Sequence, residues 1–318
     1  MAWESFKVTG IAVIQIFLLG AIGYFLTKKS ILDSPGLDIL SRLVVEVTLP
    51  ILIFCQLIKD FRFNLYPNWW IFPILSIFIT IIGLLIGYVF AGFIHGHKQR
   101  QQFLSLVAFQ NAGYLPLALT ATLLTNDKSG TMFIYLFLFL LGFNLLVWSL
   151  GVYMLSSHEN KRFELGSLFS PPVIAVSSTL IIIFLGLNKF IPQAVLKPLR
   201  MIGDCTLPLA MLVTGGSLGL IHLKHIDKKT MGLMLLAKLI VLPALGLWVI
   251  IKFKLPELIG LLIIMELAAP PATSLSVITR HYKKEDLLIS QGIFLGHLVS
   301  IASLPLFLSL YFALSMIK

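Results

Sequence analysis

Charge is scarce in this chain. Of its 318 residues only 12% are Asp, Glu, Lys or Arg, while 58% are hydrophobic. A soluble domain carries about 25% charged residues, and here apolar runs recur from end to end, so no stretch is left to form one. Cysteine is almost missing. Cys55 and Cys205 are the two present, both inside apolar runs; they offer no metal-ligand spacing and no disulfide framework, and read as small buried apolar residues. The chain also lacks a P-loop, a zinc-binding H-E-x-x-H and a dinucleotide fingerprint. No ATP site, cofactor, metal site or catalytic residue is therefore expected. The short alternating segments of a transmembrane β-barrel are missing too.

Long apolar runs are what the chain does have, and they indicate an all-α polytopic membrane protein. The net charge is +10, but the basic residues sit mostly in short loops between apolar runs. There they set topology and meet anionic headgroups, so membrane lipid and not nucleic acid is their partner. The first run, about 8–26, is too long for a signal-peptide core. Lys28 and Lys29 follow it in place of a small-residue cleavage site, which makes it a retained helix.

Hydropathy places ten spans at about 8–26, 37–58, 69–94, 102–124, 131–156, 172–190, 196–220, 230–251, 257–280 and 287–316. Trp69 and Trp70 open the third, as interfacial aromatics do. The longest connection, around residues 157–171, is polar and falls at mid-chain. It joins a first five-helix half, residues 1–160, to a second, residues 161–318.

A costly pattern occurs once in each half. Arg42-x-x-x-Glu46-x-Thr48-Leu49-Pro50 returns as Arg200-x-x-x-Asp204-x-Thr206-Leu207-Pro208, 158 positions later. Charges, a hydroxyl and a proline are each unfavourable in a bilayer, so their joint repetition points to internal duplication. Pro116 pairs with Pro271 and Asn144 with His297 at slightly shorter offsets. With five spans per half, the halves insert with opposite orientation, a 5+5 inverted repeat. The loops after odd-numbered spans hold twelve basic residues, including Lys161, Arg162, Lys224, Lys283 and Lys284, and the other side nine, including Lys318. That bias places both termini outside the cytoplasm.

Spans 4 and 9 are where chemistry is expected. Asn111, Gly113 and Pro116 fall near the middle of one; Glu266, Pro270 and Pro271 fall near the middle of the other. A proline removes a backbone donor and clashes with the preceding turn. Such breaks are tolerated at membrane depth only where protein or a water-filled cavity satisfies the freed groups. Two broken crossover helices at matching positions of inverted repeats would cross near the midplane, with second halves starting near Leu117 and Ala272. Their free N–H groups and positive dipole ends suit a small anion. The plainer alternative is two structural kinks.

The remaining polar residues each carry two readings. Arg42 with Glu46, and Arg200 with Asp204, are spaced i, i+4: a structural ion pair near the membrane edge, or carboxylates that line the pathway. Lys238 lies well inside span 8 and either needs a partner or snorkels to an interface. Asn144 and His297 suit a polar helix–helix contact. Gly215-Gly216-Ser217-Leu218-Gly219 matches a nucleophile elbow in letters only. It ends an apolar helix, where small residues permit close packing.

The Asn111-Ala-Gly-Tyr-Leu-Pro116 stretch, the Glu266-Leu-Ala-Ala-Pro270-Pro271-Ala-Thr stretch and the two Thr-Leu-Pro motifs resemble the auxin efflux carrier family, including its bacterial members, over essentially the whole chain. The resemblance implies a fold similar to that of bile-acid sodium symporters, with a scaffold domain and a transport domain that move against each other. It implies organic anion substrates, auxin in plants and dicarboxylates such as malonate in some bacterial relatives, and it maps Asn111, Pro116 and Pro271 onto the crossover. Two features differ from that pattern. The central loop is only about fifteen residues, and Glu266 stands where the first half has Asn111.

The expectation is a secondary transporter of the plasma (inner) membrane that moves a small organic anion, a carboxylate, by alternating access. Asn111, Gly113, Pro116, Glu266, Pro270 and Pro271 would form the binding centre. Glu46, Asp204, Lys238, Arg42, Arg200, Asn144 and His297 would serve coupling or support. Coupling to H+ or Na+, and association into a homodimer, stay open. The alternatives are a sodium- or proton-coupled carrier of a non-carboxylate, a receptor without transport, and an intramembrane enzyme.

Overall fold

A computed structural model describes residues 2–156, 169–221, 223, 225–281 and 287–315. Most of the central join, with Lys161 and Arg162, lies outside the described residues, as do Lys224, Lys283, Lys284 and Lys318. Among the described residues the chain is helical, and no strand forms. Six stretches are long and apolar enough to cross a membrane: Trp3–Lys28, Ile71–Ala91, Asp127–Leu155, Gln193–Gly219, Lys228–Lys252 and Leu287–Ser315. The protein is an integral membrane protein.

Helix α1 (Ala2–Lys28) is two-sided. It buries Val13 and Ile16 and exposes Ile11, Leu18 and Phe25, the division expected of a helix with protein on one side and lipid on the other. Next come α2 (Ser34–Leu43), a π-turn at Val44–Thr48, and α3 (Leu49–Asp60). Asp33 caps α2 by accepting from the Gly36 N–H at 2.8 Å. The π-turn has a cause in the sequence: Pro50 has no N–H and its ring crowds the preceding turn, and one extra residue relieves the clash. Pro243 is likewise preceded by a π-turn, Ala237–Val241, between α12 (Lys228–Leu236) and α13 (Leu242–Lys252), which keep the chain's numbering.

Between these lie α4 (Ile71–Ala91), α5 (His97–Ala108), α6 (Tyr114–Leu123), α7 (Asn126–Leu146), α8 (Val152–Leu155), α9 (Pro171–Phe184), α10 (Gln193–Asp204) and α11 (Thr206–Gly219). The chain ends with α14 (Glu257–Ala268), α15 (Ser274–His281) and α16 (Leu287–Ser315). Within the seventh span α10 stops at Asp204, and Cys205 separates it from α11. Pro208, which lacks the N–H that would meet the Asp204 carbonyl, accounts for the interruption. Cys55 is half-buried and Cys205 exposed, so neither is the fully buried filler expected.

Helix α1 packs along α11 and α16. The contact with α11 is backbone to backbone: a Cβ on Gly215 would overlap the main chain of Gly20, and one on Gly23 that of Leu212. The small residues of the rejected elbow motif therefore serve packing. The core centres on α5, α6, α7 and α14, where Phe103, Phe109, Leu117, Phe137 and Ile264 are fully buried.

Candidate functional site: a paired break between two helices

Helix α14 ends at Ala268 because two prolines follow. Ala269 is extended, as the residue before a proline is biased to be, and α15 starts at Ser274. The other break differs from expectation. Helix α5 ends at Ala108 and α6 starts at Tyr114, so the gap is residues 109–113 and Pro116 lies inside the new helix. A proline in a first helical turn gives up an N–H that would have had no partner there. The second halves thus begin at Tyr114, three residues before Leu117, and at Ser274, two after Ala272.

The two gaps satisfy each other. Gln110 lies opposite Pro271 in an antiparallel bridge. The Asn111 N–H donates to the Pro270 carbonyl at 2.8 Å, and the Ala272 N–H donates to the Phe109 carbonyl at 2.9 Å. These are groups that would otherwise be stranded at membrane depth. Behind them a Cβ on Gly296 would press on the Pro271 ring, so α16 abuts the crossing directly.

One face of the crossing opens on a cavity of about 310 Å3, a size usual for small-molecule sites. Gly113 and Tyr114 line it from the start of α6, Thr273 and Ser274 from the start of α15, and the Asn111 side chain from the gap. Asn144, Ser217, Arg42, Glu46 and Gln110 add to its polar lining, with Ser41, Ser170 and Ser276. The first N–H groups of a helix have no acceptor within it; here two such ends face the same space. Arg42 Nε donates to Glu46 Oε1 at 3.1 Å across the π-turn, and both side chains are largely exposed. Among the described residues Arg42 is the one cation on this lining.

The other face of the crossing is closed and polar. Glu266 and Lys238 are fully buried there, near enough for their charges to interact. Gln110 Nε2 donates to Glu266 Oε2 at 3.4 Å, while Gln110 Oε1 and Glu266 Oε1 have no protein partner. Glu266 therefore stands behind the crossing and does not line the cavity. Lys238, in the π-turn Ala237–Val241, is fully buried and does not snorkel. His297 meets the crossing from α16. Its Nδ1 lies 2.8 Å from the Ile293 carbonyl, which can only accept. In the neutral ring Nε2 is then bare and accepts from Asn111 Nδ2 at 3.3 Å.

The structure thus gathers Asn111, Gly113, Asn144, Arg42 and Glu46 around the cavity, whereas Pro116, Pro270 and Pro271, expected at the binding centre, do not line it. It places Glu266, Lys238 and His297 behind the crossing. Arg200 and Asp204 are not brought to either face. They are exposed and line a recess of about 10 Å3 beside Cys55. Among the described residues they show no ion pair like that of Arg42 and Glu46. Gln110 is the residue that sequence reasoning passed over, although an amide inside the apolar run Phe109–Gln110–Asn111 was a visible signal.

The model of a family described as "Membrane transport protein" matches residues 9–164 and 160–308. "Protein PIN-LIKES 6" of Arabidopsis thaliana is 28% identical over 128 residues, 39% of this chain and 30% of the relative. "Protein PIN-LIKES 2" of the same plant is 27% identical over 115 residues, 35% of this chain and 25% of the relative. "Uncharacterized transporter C5D6.04" of Schizosaccharomyces pombe is 26% identical over 116 residues, 36% and 26%. The matched stretches span between a quarter and a third of these relatives. The family's description and the yeast relative's name are those of transporters and not of enzymes. By the family match across both halves, the chain belongs to this membrane transport family, the auxin efflux carrier family that the motifs around Asn111 and Pro271 resemble.

Proposed function

We propose that the protein is a secondary transporter of a small organic anion, most simply a carboxylate, working by alternating access. The observation that carries this reading is the convergence of two helix starts, Tyr114 and Ser274, with the Asn111 amide on one cavity. Free N–H groups and two positive dipole ends favour a negative ligand, and Arg42 adds a cation at the rim. The sequence repeat supports ten spans in two inverted five-helix halves, set in the plasma (inner) membrane with both termini outside the cytoplasm. No P-loop is present, so an ion gradient or the substrate gradient drives movement.

A coupled version is favoured by one observation, the buried Glu266 and Lys238 behind the crossing. Gln110 links Glu266 to the gap segment that carries Asn111, so a change in the charge of that pair reaches the cavity wall within one residue. In this reading a proton or sodium ion acts there, and the substrate acts on the other face.

The test is reconstitution in liposomes, with currents recorded on adding a panel of carboxylates, with and without sodium and pH gradients. Saturable currents that vanish in Asn111→Ala are expected. Silence in both current and radiolabel counterflow would sink the anion site. Sodium- and pH-independent flux, unchanged in Glu266→Gln, would remove the coupled version alone.

A further inference from the structure

Asn111 lines a second cavity, of about 280 Å3, on the side of the crossing that faces α1 and α16. Its walls are apolar, and among the described residues neither Lys nor Arg borders it. At its mouth stand Phe25, Leu298 and Ile301, which are 59%, 53% and 38% exposed and face the lipid. Its floor is polar and buried. Asn111 and His297 meet there, and Thr214 joins them from α11. The Thr214 side chain lines this floor, and its buried hydroxyl has no hydrogen-bond partner among the described residues. Leaving a buried hydroxyl unpaired costs about 1–3 kcal/mol, so this floor is built to meet a polar group that arrives from the membrane.

We propose that this cavity is a separate site for a single-chain fatty acid, carboxyl group inward and chain passing out between α1 and α16. The absence of a cation from the lining disfavours a phosphate headgroup. A carboxylic acid inside a bilayer is neutral and needs none. Its carbonyl accepts from the Thr214 hydroxyl and from the second Asn111 N–H, and its own O–H donates to Asn111 Oδ1. The mouth, flanked by Phe25 of α1 and by Leu298 and Ile301 of α16, admits one chain. Because Asn111 also lines the first cavity, an occupied second cavity competes for the amide that the transported anion would use. This site does not rest on the transport reading, since its ligand enters from lipid and its test reads binding.

The experiment uses the full chain in phosphatidylcholine nanodiscs and a dodecanoic acid carrying a diazirine on its chain. Photolabelling is mapped by peptide mass spectrometry. Labels are expected on α1 and α16 around Phe25 and Leu298, displaced by excess laurate but not by dodecane. Thr214→Val should weaken labelling by about threefold to tenfold, the worth of one hydrogen bond. Thr214→Ser, which keeps the hydroxyl, should retain it. Ala21→Trp, which fills the cavity, should abolish it. Displacement by dodecane as effective as by laurate, or labelling indifferent to both Thr214→Val and Ala21→Trp, would overturn the proposal.

Discussion

The side chain of Asn111 donates to Nε2 of His297 at 3.3 Å, joining the gap between α5 and α6 to the last helix across 186 positions. His297 is in turn fixed by Ile293 one turn back on α16. The imidazole therefore orients the amide that borders both cavities. In His297→Leu that amide is left without its acceptor, and the protein should lose about 1–3 kcal/mol of stability, read as a lower thermal midpoint in detergent. His297→Gln, which can still accept, should recover part of the loss. Equal midpoints for the two variants would show that the bond contributes nothing.

The buried Glu266 and Lys238 give a sharper test. Removing one member of a buried charge pair typically costs about 3–5 kcal/mol, because the other is left uncompensated, whereas replacing both can be close to neutral. Glu266→Gln and Lys238→Met should each lower the unfolding midpoint strongly. The double variant should be more stable than either single one. Additive losses in the double variant would mean that the two residues do not compensate each other.

The approach of α1 to α11 sets a contrast between glycines. Gly215→Ala places a methyl group against the Gly20 main chain and should part the two helices, read as loss of monodisperse protein on size exclusion. Gly232 lies in α12 with open space around the position of a Cβ. Gly232→Ala should stabilise by about 0.5–1 kcal/mol through helix propensity. A Gly215→Ala protein that behaves like wild type would contradict the packing described for α1.

Asp227 caps α12 outside the membrane. It accepts from the Thr230 hydroxyl at 2.6 Å and from the N–H groups of Lys229 and Thr230 at 3.1 and 3.2 Å. These bonds, the Thr230 hydroxyl first, hold its carboxyl below the usual carboxylate range. The group is more acidic folded than unfolded, so its contribution is complete above the ordinary carboxylate pKa. It is lost as pH falls through the lowered folded value. Asp227→Ala should cost about 1 kcal/mol at neutral pH. The gap between the two proteins should narrow as pH drops below about 4; a gap that holds constant would deny the carboxylate its role.

The sequence made the crossing legible on one side better than on the other. Two adjacent prolines leave little choice, and α14 stops before Pro270 for the reason its letters suggest. Pro116 misleads because a proline is harmless in a first turn, so the gap around Asn111 opened several residues earlier than its proline implied. The repeated Arg–Glu and Arg–Asp motif promised two equivalent sites. The first copy spans an uninterrupted π-turn at the cavity rim, whereas the second straddles the stop at Cys205 and faces elsewhere. The meetings of Gln110 with Glu266, Lys238 with Glu266 and Asn111 with His297 join residues far apart in the chain. No periodicity within a single span encodes them.

The bridge between Gln110 and Pro271 also bears on how the chain is made. The Asn111 N–H finds its acceptor, and the Phe109 carbonyl its donor, only in residues synthesised some 160 positions later. A nascent chain that has delivered its first five apolar segments to the bilayer therefore holds main-chain polar groups that nothing in that portion satisfies. They stay hydrated, or borrow temporary partners, until α14 and α15 arrive. Biogenesis has a late closing step at the place where substrate is proposed to bind, and a ribosome stalled before Pro270 would release a first half unable to complete its own interior.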